Sequence, residues 1–150
     1  MQVAWASICR EFIETDEGLD VLGLGVDGFD VFEDFPVKLP LNVVYELSGE
    51  AARPEGGGPN GSGPERGHTV LASVFGPDMQ LLEEAVFPAP APLANPRGPA
   101  AAAPRRLECL FLPLVAVDEG DYLIRIQLDG EPPATAIALS VRRADGFPDF

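Results

Sequence analysis

The sequence predicts an all-β protein, an antiparallel β-sandwich of seven or eight strands with two long loops rich in glycine and proline. Three observations lead to this prediction. Short segments carry apolar residues at every second position, which places alternate side chains on opposite faces of a strand. Turn-forming residues separate these segments, with 16 glycines and 16 prolines among 150 residues. No segment has the periodicity of an amphipathic helix, and many short strands are typical of sandwiches.

The clearest strand spans residues 122–128, where apolar side chains occupy alternate positions. Asp129-Gly130 ends it with a strong hairpin signal. Tyr122 begins this penultimate strand directly after an acidic turn at Gly120-Asp121. Immunoglobulin-like sandwiches have a corner tyrosine at that place, and its hydroxyl bonds to the nearby backbone. The sequence therefore favours an immunoglobulin-like form of the sandwich.

Other segments are predicted as strands with less regular patterns. They span residues 3–12, 19–26, 41–47, 68–75, 79–87, 106–117 and 135–141. Residues 106–117 are so apolar that both faces of this strand are expected to be nearly buried, with Pro113 at a bulge or an edge. Residues 29–35 mix phenylalanines with acidic residues, and their assignment stays open.

The chain length fits a single domain, residues 1–150. Residues 48–67 contain almost no apolar side chains and are expected to form a flexible loop. Residues 88–105 are rich in proline and alanine and favour extended chain over helix. Residues 143–150 form a polar C-terminal tail. The entropic cost of closing a loop grows only slowly with its length, so both loops can interrupt one sandwich.

Twenty-four acidic and ten basic residues give a net charge of −14. Such a surface repels phosphate backbones and anionic lipids, so neither nucleic acid nor a membrane is an expected partner. No segment approaches the roughly 20 apolar residues of a membrane span. The N-terminus lacks the basic region of a signal peptide, which indicates a cytoplasmic protein with Cys9 and Cys109 as reduced thiols. The abundance of Ala, Gly, Pro and Arg with a single lysine is typical of a GC-rich bacterial genome.

Three segments resemble a family of short, uncharacterised bacterial β-sandwich proteins. They are Met-Gln-Val-Ala-Trp-Ala-x-x-Cys9, Leu-Gly-Leu-Gly-Val26 and Gly120-Asp-Tyr-x-Ile-x-Ile-x-Leu-Asp-Gly130. The resemblance covers roughly the first and last thirds of the chain. In that family an acidic residue often follows the cysteine, whereas here the residue is Arg10. The resemblance implies an immunoglobulin-like fold and no particular activity.

Two groups of acidic residues are candidate calcium ligands. Asp27 and Asp30 belong to one group, and Asp118 and Asp121 belong to the other. Calcium takes six to eight oxygen ligands, which separate loops of a sandwich could supply if they share one end of the molecule. The spacing matches no EF-hand, and solvated turns are the alternative interpretation.

Signals for other chemistry are weaker. Gly23, Gly25 and Gly28 match the G-x-G-x-x-G pattern, but no helix is expected after them, so these glycines are interpreted as relieving a bent strand. His68 is the single histidine, and catalysis with Cys9 or Cys109 would require a hydrogen bond that nothing local suggests. No enzyme activity, metal or cofactor is therefore predicted.

Exposed aromatic residues are the candidate contact residues. They are Phe29, Phe32 and Phe35 in the acidic segment and Phe147 and Phe150 in the tail. A contiguous apolar patch or a free strand edge would provide a surface for association. The predicted function is a non-enzymatic protein-interaction or assembly module, which binds a protein partner or itself. The alternative is a sandwich that binds calcium or a small ligand through its acidic loops.

Overall fold

The described part of the protein consists of strands. The computed structural model describes residues 1–49, 68–89 and 105–144, which contain ten strands and no helix. The strands are β1 (Gln2–Cys9), β2 (Glu11–Thr15), β3 (Gly18–Leu22), β4 (Gly28–Val31), β5 (Val37–Ser48), β6 (His68–Phe75), β7 (Leu81–Ala89), β8 (Arg105–Ala116), β9 (Gly120–Leu128) and β10 (Thr135–Arg143). The all-β prediction is confirmed. Within these residues there is accordingly no helix that could cross a membrane.

Eight of these strands form two sheets, and the other two form a hairpin. One sheet has the order β1-β5-β8, the second has the order β4-β10-β9-β6-β7, and β2 pairs with β3. All of these pairs are antiparallel except β4 and β10, which run in parallel. The prediction of a wholly antiparallel arrangement is therefore wrong for this pair. Gly28 opens β4, and a Cβ atom there would lie 3.1 Å from the Ser140 carbonyl oxygen, so glycine suits this close approach.

Side chains from both sheets meet in one hydrophobic core. The apolar row predicted on β9 lies there, because Tyr122, Ile124 and Ile126 are fully buried and Leu128 is half-buried at the end of the row. Hairpin pairing between β9 and β10 places Leu139 opposite Tyr122 in the same layer. The alternation read from the sequence is thus confirmed on this strand.

The tyrosine at the start of β9 makes the expected corner bond. Its chain segment passes from β8 in the three-stranded sheet to β9 in the five-stranded sheet. The Tyr122 hydroxyl donates a hydrogen bond of 2.6 Å to the Asp118 carbonyl oxygen. This bond satisfies a buried hydroxyl and fixes the turn between the sheets.

The number of strands exceeds the seven or eight predicted. The segment predicted as one strand, residues 3–12, divides at Arg10, whose amide bonds to the Leu22 carbonyl as the chain turns into the β2–β3 hairpin. The segment predicted as a strand over residues 19–26 ends at Leu22. The segment left open, residues 29–35, supplies β4 because its backbone pairs with β10.

The described strands extend a little into both predicted loops and the tail. Ser48 pairs in β5, Pro88 and Ala89 pair in β7, and Arg105 begins β8. Ala144 donates its amide to the Val31 carbonyl just after β10. Residues 50–67, 90–104 and 145–150, which hold the remainder of these predicted segments, lie outside the described residues.

Proline shapes the free edge of β8, which in the described chain pairs only with β5. Pro113 lies opposite Pro40. Since neither residue has an N–H group, they form a non-hydrogen-bonded pair, in which the backbone nitrogen of each residue points away from the other strand. The missing donor of Pro113 therefore falls on the open side of β8, as predicted for an edge strand.

Candidate functional site

The β2–β3 hairpin covers half of the outer face of the three-stranded sheet. Val44 and Cys9 point away from the common core, yet both are fully buried. Phe12, Leu19 and Val21 are half-buried, and cross-strand pairing places them on one face of the hairpin. The opposite face of the hairpin is exposed, so the half-buried face lies against the sheet.

The other half of this outer face carries an exposed apolar strip. The strip consists of Phe111, Pro113, Val115 and Val117. Phe111 and Val115 are each 51% exposed, whereas the neighbouring Leu112 and Leu114 are buried. The prediction that β8 is nearly buried on both faces is therefore wrong along the strip, because the hairpin ends before it.

A shallow pocket of about 520 Å³ borders the strip. Pro40 lines the pocket and also lies opposite Pro113, so the two features are continuous. Arg10 and Leu24 form further parts of the wall, and Asp27 and Asp30 add two carboxylates. The surface therefore combines an apolar centre with a charged border, which holds these two carboxylates, Arg10 and the exposed Lys38 opposite Val115.

The predicted glycine pattern lines this pocket and does not lead into a helix. Gly23 and Gly25 have positive φ angles of 67° and 88°. A Cβ atom on Gly23 would lie 2.7 Å from Cγ of Arg10, so the chain passes close to that side chain. The segment continues into β4, which lacks the helix N-terminus that a dinucleotide site needs.

The candidate calcium ligands share one end of the five-stranded sheet. β4 and β9 flank β10, which brings Asp30 and Asp121 to either side of Arg142. Arg142 donates a 3.0 Å hydrogen bond to Asp121 through Nη2, so arginine already occupies part of this acidic end. Among the described residues, no group of three His, Cys, Asp or Glu side chains is arranged to hold a metal.

The predicted aromatic contact residues do not form one surface. Phe29 and Phe35 are half-buried and pack against the core, whereas Phe32 is 57% exposed. Phe147 and Phe150 lie outside the described residues. Only Phe29 lies in β4, on the same inward face as Val31, whereas Phe32 and Phe35 follow the end of the strand, so no shared strand face brings the three rings together.

His68 bonds to a carboxylate on the hairpin turn after β9. His68 Nδ1 lies 2.7 Å from Asp129 Oδ2, and the Thr69 amide donates a 2.9 Å bond to Asp129 Oδ1. Burial alone would raise the pKa of Asp129, but the hydrogen bonds from His68 and Thr69 lower this pKa below its ordinary value. A cavity of about 140 Å³ adjoins the pair.

The two cysteines lie on the other sheet from His68. Cys9 in β1 pairs with Asn42 and Cys109 in β8 pairs with Val44, so two strand spacings and a two-residue offset along β5 place their Cα atoms more than about 10 Å apart. This separation exceeds the roughly 7 Å limit for a disulfide, and both thiols are free. The arrangement provides no cysteine–histidine pair.

Both thiols are held in their neutral form. Burial raises the pKa of Cys9. Burial and the adjacent Glu14 carboxylate raise the pKa of Cys109 to about 12. Cys109 Sγ donates to Glu14 Oε1 at 3.8 Å, which joins the hairpin to β8.

Comparisons with known proteins add no relative: no family model matches the chain, and the search of curated proteins returned no significant match. The site is therefore defined by its geometry. Sequence reasoning missed the apolar strip because an uninterrupted apolar segment does not indicate which face of a strand is covered.

Proposed function

We propose that the protein is a non-enzymatic interaction module that binds a protein partner through the β8 strip. The observation that carries this proposal is the exposure of Phe111 and Val115 on a strand whose neighbouring leucines are buried. A solitary exposed leucine needs no explanation, but consecutive outward positions of one strand form a contiguous apolar surface. Protein interfaces are commonly centred on such residues, with aromatic side chains as anchors.

The strip is supported by a rigid base. β8 pairs with β5 along its whole length, from Arg105 opposite Ser48 to Ala116 opposite Val37. The inward side chains of β8 belong to the hydrophobic core. The strip is therefore ordered before a partner binds. Little conformational entropy is lost on binding, which favours affinity.

The charge pattern favours a partner with a basic border around an apolar centre. Asp27 and Asp30 line the pocket at one side of the strip, and Asp118 follows Val117 at its end. The net charge of −14 adds a long-range attraction for positively charged proteins. Strand addition along β8 is less suitable, because Pro113 removes a donor from the free edge.

We also propose that the fold is an immunoglobulin-like sandwich. The strand order supports this assignment, since β1-β5-β8 corresponds to strands A, B and E, and β10-β9-β6-β7 corresponds to G, F, C and C′. In this correspondence Tyr122 begins strand F and bonds back to Asp118, as the corner tyrosine of such domains does.

The positions of the reactive side chains support a non-enzymatic role. His68 bonds Asp129 on the five-stranded sheet, while Cys9 and Cys109 lie on the outer side of the three-stranded sheet. A nucleophile and its base must lie within hydrogen-bonding reach. The neutral thiols described above are also poor nucleophiles.

A displayed peptide library tests the proposed surface. Peptides are selected on the full-length protein and counter-selected on the Phe111→Asp/Val115→Asp variant. We expect the enriched peptides to combine apolar residues with lysine or arginine, because the strip is apolar and the protein carries a net charge of −14. Their affinity for the unmodified protein should fall at least about tenfold in the double variant and weaken as salt rises.

Leu22→Asp provides the matched control, since Leu22 is also about half exposed but lies on the outer face of the hairpin. The control should bind the selected peptides as the unmodified protein does. Melting curves of all variants verify that they fold. Peptides that bind the double variant as tightly as the unmodified protein would contradict the proposal.

A further inference from the structure

The outer face of the five-stranded sheet is unusually apolar for a surface of this acidic protein. At the middle of this face, cross-strand pairing arranges the side chains of β10, β9, β6 and β7 in three adjacent rows, next to the polar row of Ser140 and Asp121. Their apolar members are Leu71, Phe75, Leu81, Val86, Leu123, Ala136 and Ala138. Val86 is 63% exposed, and both alanines are exposed. An antiparallel sheet face directed to water normally carries polar residues.

Only two charged side chains belong to these three described rows, and they share the middle row. That row runs from Ala136 through Arg125 and Ser73 to Glu84. Arg125 and Glu84 are therefore about 9.5 Å apart at two strand spacings, with the small Ser73 between them. The rows carry no net charge on a protein whose total charge is −14.

Neither charge has an ion-pair partner among the described residues. The Arg125 guanidinium lies over the Phe75 ring at 5.6 Å from its centroid, a cation–π contact within the same face. Glu84 is exposed on β7, the edge strand of this sheet. Strand register thus sets the positions of both residues on an apolar face, and each charge is available to one of opposite sign.

We propose that two copies of the chain pack face to face through this surface, with the two-fold axis parallel to β6 and above Ser73. Because β6 lies between β9 and β7, rotation about this axis places β9 of one copy over β7 of the other. It therefore places Arg125 of each copy over Glu84 of the other and forms two identical ion pairs. Sheets pack about 10 Å apart, a distance that an arginine and a glutamate can span together. A two-fold interface uses the same surface of both copies, so assembly stops at the dimer.

The charge distribution favours a second copy of the chain as the binding partner of this face. Two molecules of charge −14 repel each other, and a contact between neutral faces minimises that repulsion. The order Arg125–Ser73–Glu84 is complementary to itself under a two-fold rotation, as an isologous interface requires. The small side chains of Ser73 and Ala136 allow the sheets to approach closely. This inference is independent of the β8 strip, which lies on the other sheet.

Sedimentation velocity with charge exchange tests the dimer. The full-length protein is measured from about 1 μM to about 1 mM, a range that includes the dissociation constants of weak dimers. We expect a concentration-dependent monomer–dimer equilibrium. Arg125→Glu should raise the dissociation constant at least about tenfold, because each ion pair becomes a repulsive contact, and Glu84→Arg should do the same. The variant with both exchanges should recover the dimer, since the pairs are restored with reversed polarity.

Lys38→Glu is the matched control for Arg125→Glu, since it makes the same change of charge on the three-stranded sheet. Glu131→Arg is the control for Glu84→Arg and lies just after β9. Both controls should dimerise as the unmodified protein does. A monomer at all concentrations, a dimer insensitive to Arg125→Glu, or failure of the double exchange to restore association would each overturn the proposal.

Discussion

Tyr122 lies where the chain passes from one sheet to the other. Its hydroxyl forms hydrogen bonds with the backbone of Asp118, four residues earlier in the chain. The ring is 1% exposed, while Asp118 is exposed in the preceding turn. The Oη atom donates to the Asp118 carbonyl oxygen and also accepts from its amide at 3.4 Å. A single phenol therefore satisfies its own polar group and orders the turn.

Replacing Tyr122 by phenylalanine tests this role. Tyr122→Phe keeps the buried ring but removes the hydroxyl, so we expect the free energy of unfolding to fall by about 1 kcal/mol. Urea denaturation measures the change. Asp118→Ala is the control, because it retains the carbonyl acceptor and should have a smaller effect. Equal stability of Tyr122→Phe and the unmodified protein would show that water replaces the bond without cost.

The reactivity of Cys109 should depend on Glu14. The thiolate is the reactive form, and a pKa of about 12 makes Cys109 at least about 100-fold slower than a free thiol at pH 8. Because the pKa is raised, alkylation should accelerate only as the pH rises above the ordinary thiol range. Glu14→Gln removes a neighbouring negative charge and should shift this rise to lower pH.

Iodoacetamide labelling in a Cys9→Ser background measures the rate for Cys109 alone. Glu17→Gln is the control, since Glu17 is exposed in the β2–β3 turn. A pH profile that Glu14→Gln leaves unchanged would disprove the electrostatic role of Glu14.

At the scale of elements, the β2–β3 hairpin acts as a cover for the three-stranded sheet. Its two faces differ sharply, because Phe12 is half-buried on one face while Ile13 is about half exposed on the other. The hairpin pairs only within itself in the described chain. Backbone bonds from Gly25 and Val26 to the Ile8 carbonyl fix the base of the hairpin, while its body is held by side-chain packing and by the contact between Glu14 and Cys109.

Two adjacent substitutions test this attachment. Phe12→Asp places a charge between hairpin and sheet and should lower the free energy of unfolding by about 1 to 3 kcal/mol. Ile13→Asp should change it by less than about 0.5 kcal/mol. Hydrogen exchange over residues 11–22 and alkylation of Cys9 should increase only in Phe12→Asp. Equal protection in both variants would contradict a cover held by its apolar face.

At the scale of the whole molecule, the sequence predicted what depends on local alternation. The buried row that starts at Tyr122 and the turn at Asp129-Gly130 were predictable because period-two patterns and turn residues are local signals. The parallel pairing of β4 with β10 was not, because it joins segments more than 100 residues apart. Nor could the sequence indicate that Val44 is covered while Phe111 on the same face is exposed, since that depends on where the hairpin folds back.

The candidate surfaces follow the same division. Phe29, Phe32 and Phe35 are conspicuous in the sequence, but β4 ends at Val31, so only Phe29 belongs to a strand and the three rings share no strand face. The row of Arg125 and Glu84 becomes visible only when the register of β9, β6 and β7 is known. Aromatic composition alone thus does not identify a shared surface, because strand register determines which side chains lie next to each other.

Pro113 has a consequence for concentrated solutions of this protein. Addition of a further β-strand from another chain requires a continuous series of backbone N–H donors along the edge. β8 lacks the donor at Pro113, in the middle of the strand. Its neighbour at the corresponding position, Pro40, removes another donor from β5 just beyond the end of β1. Despite its length and apolar character, β8 is therefore a poor template for the addition of another strand.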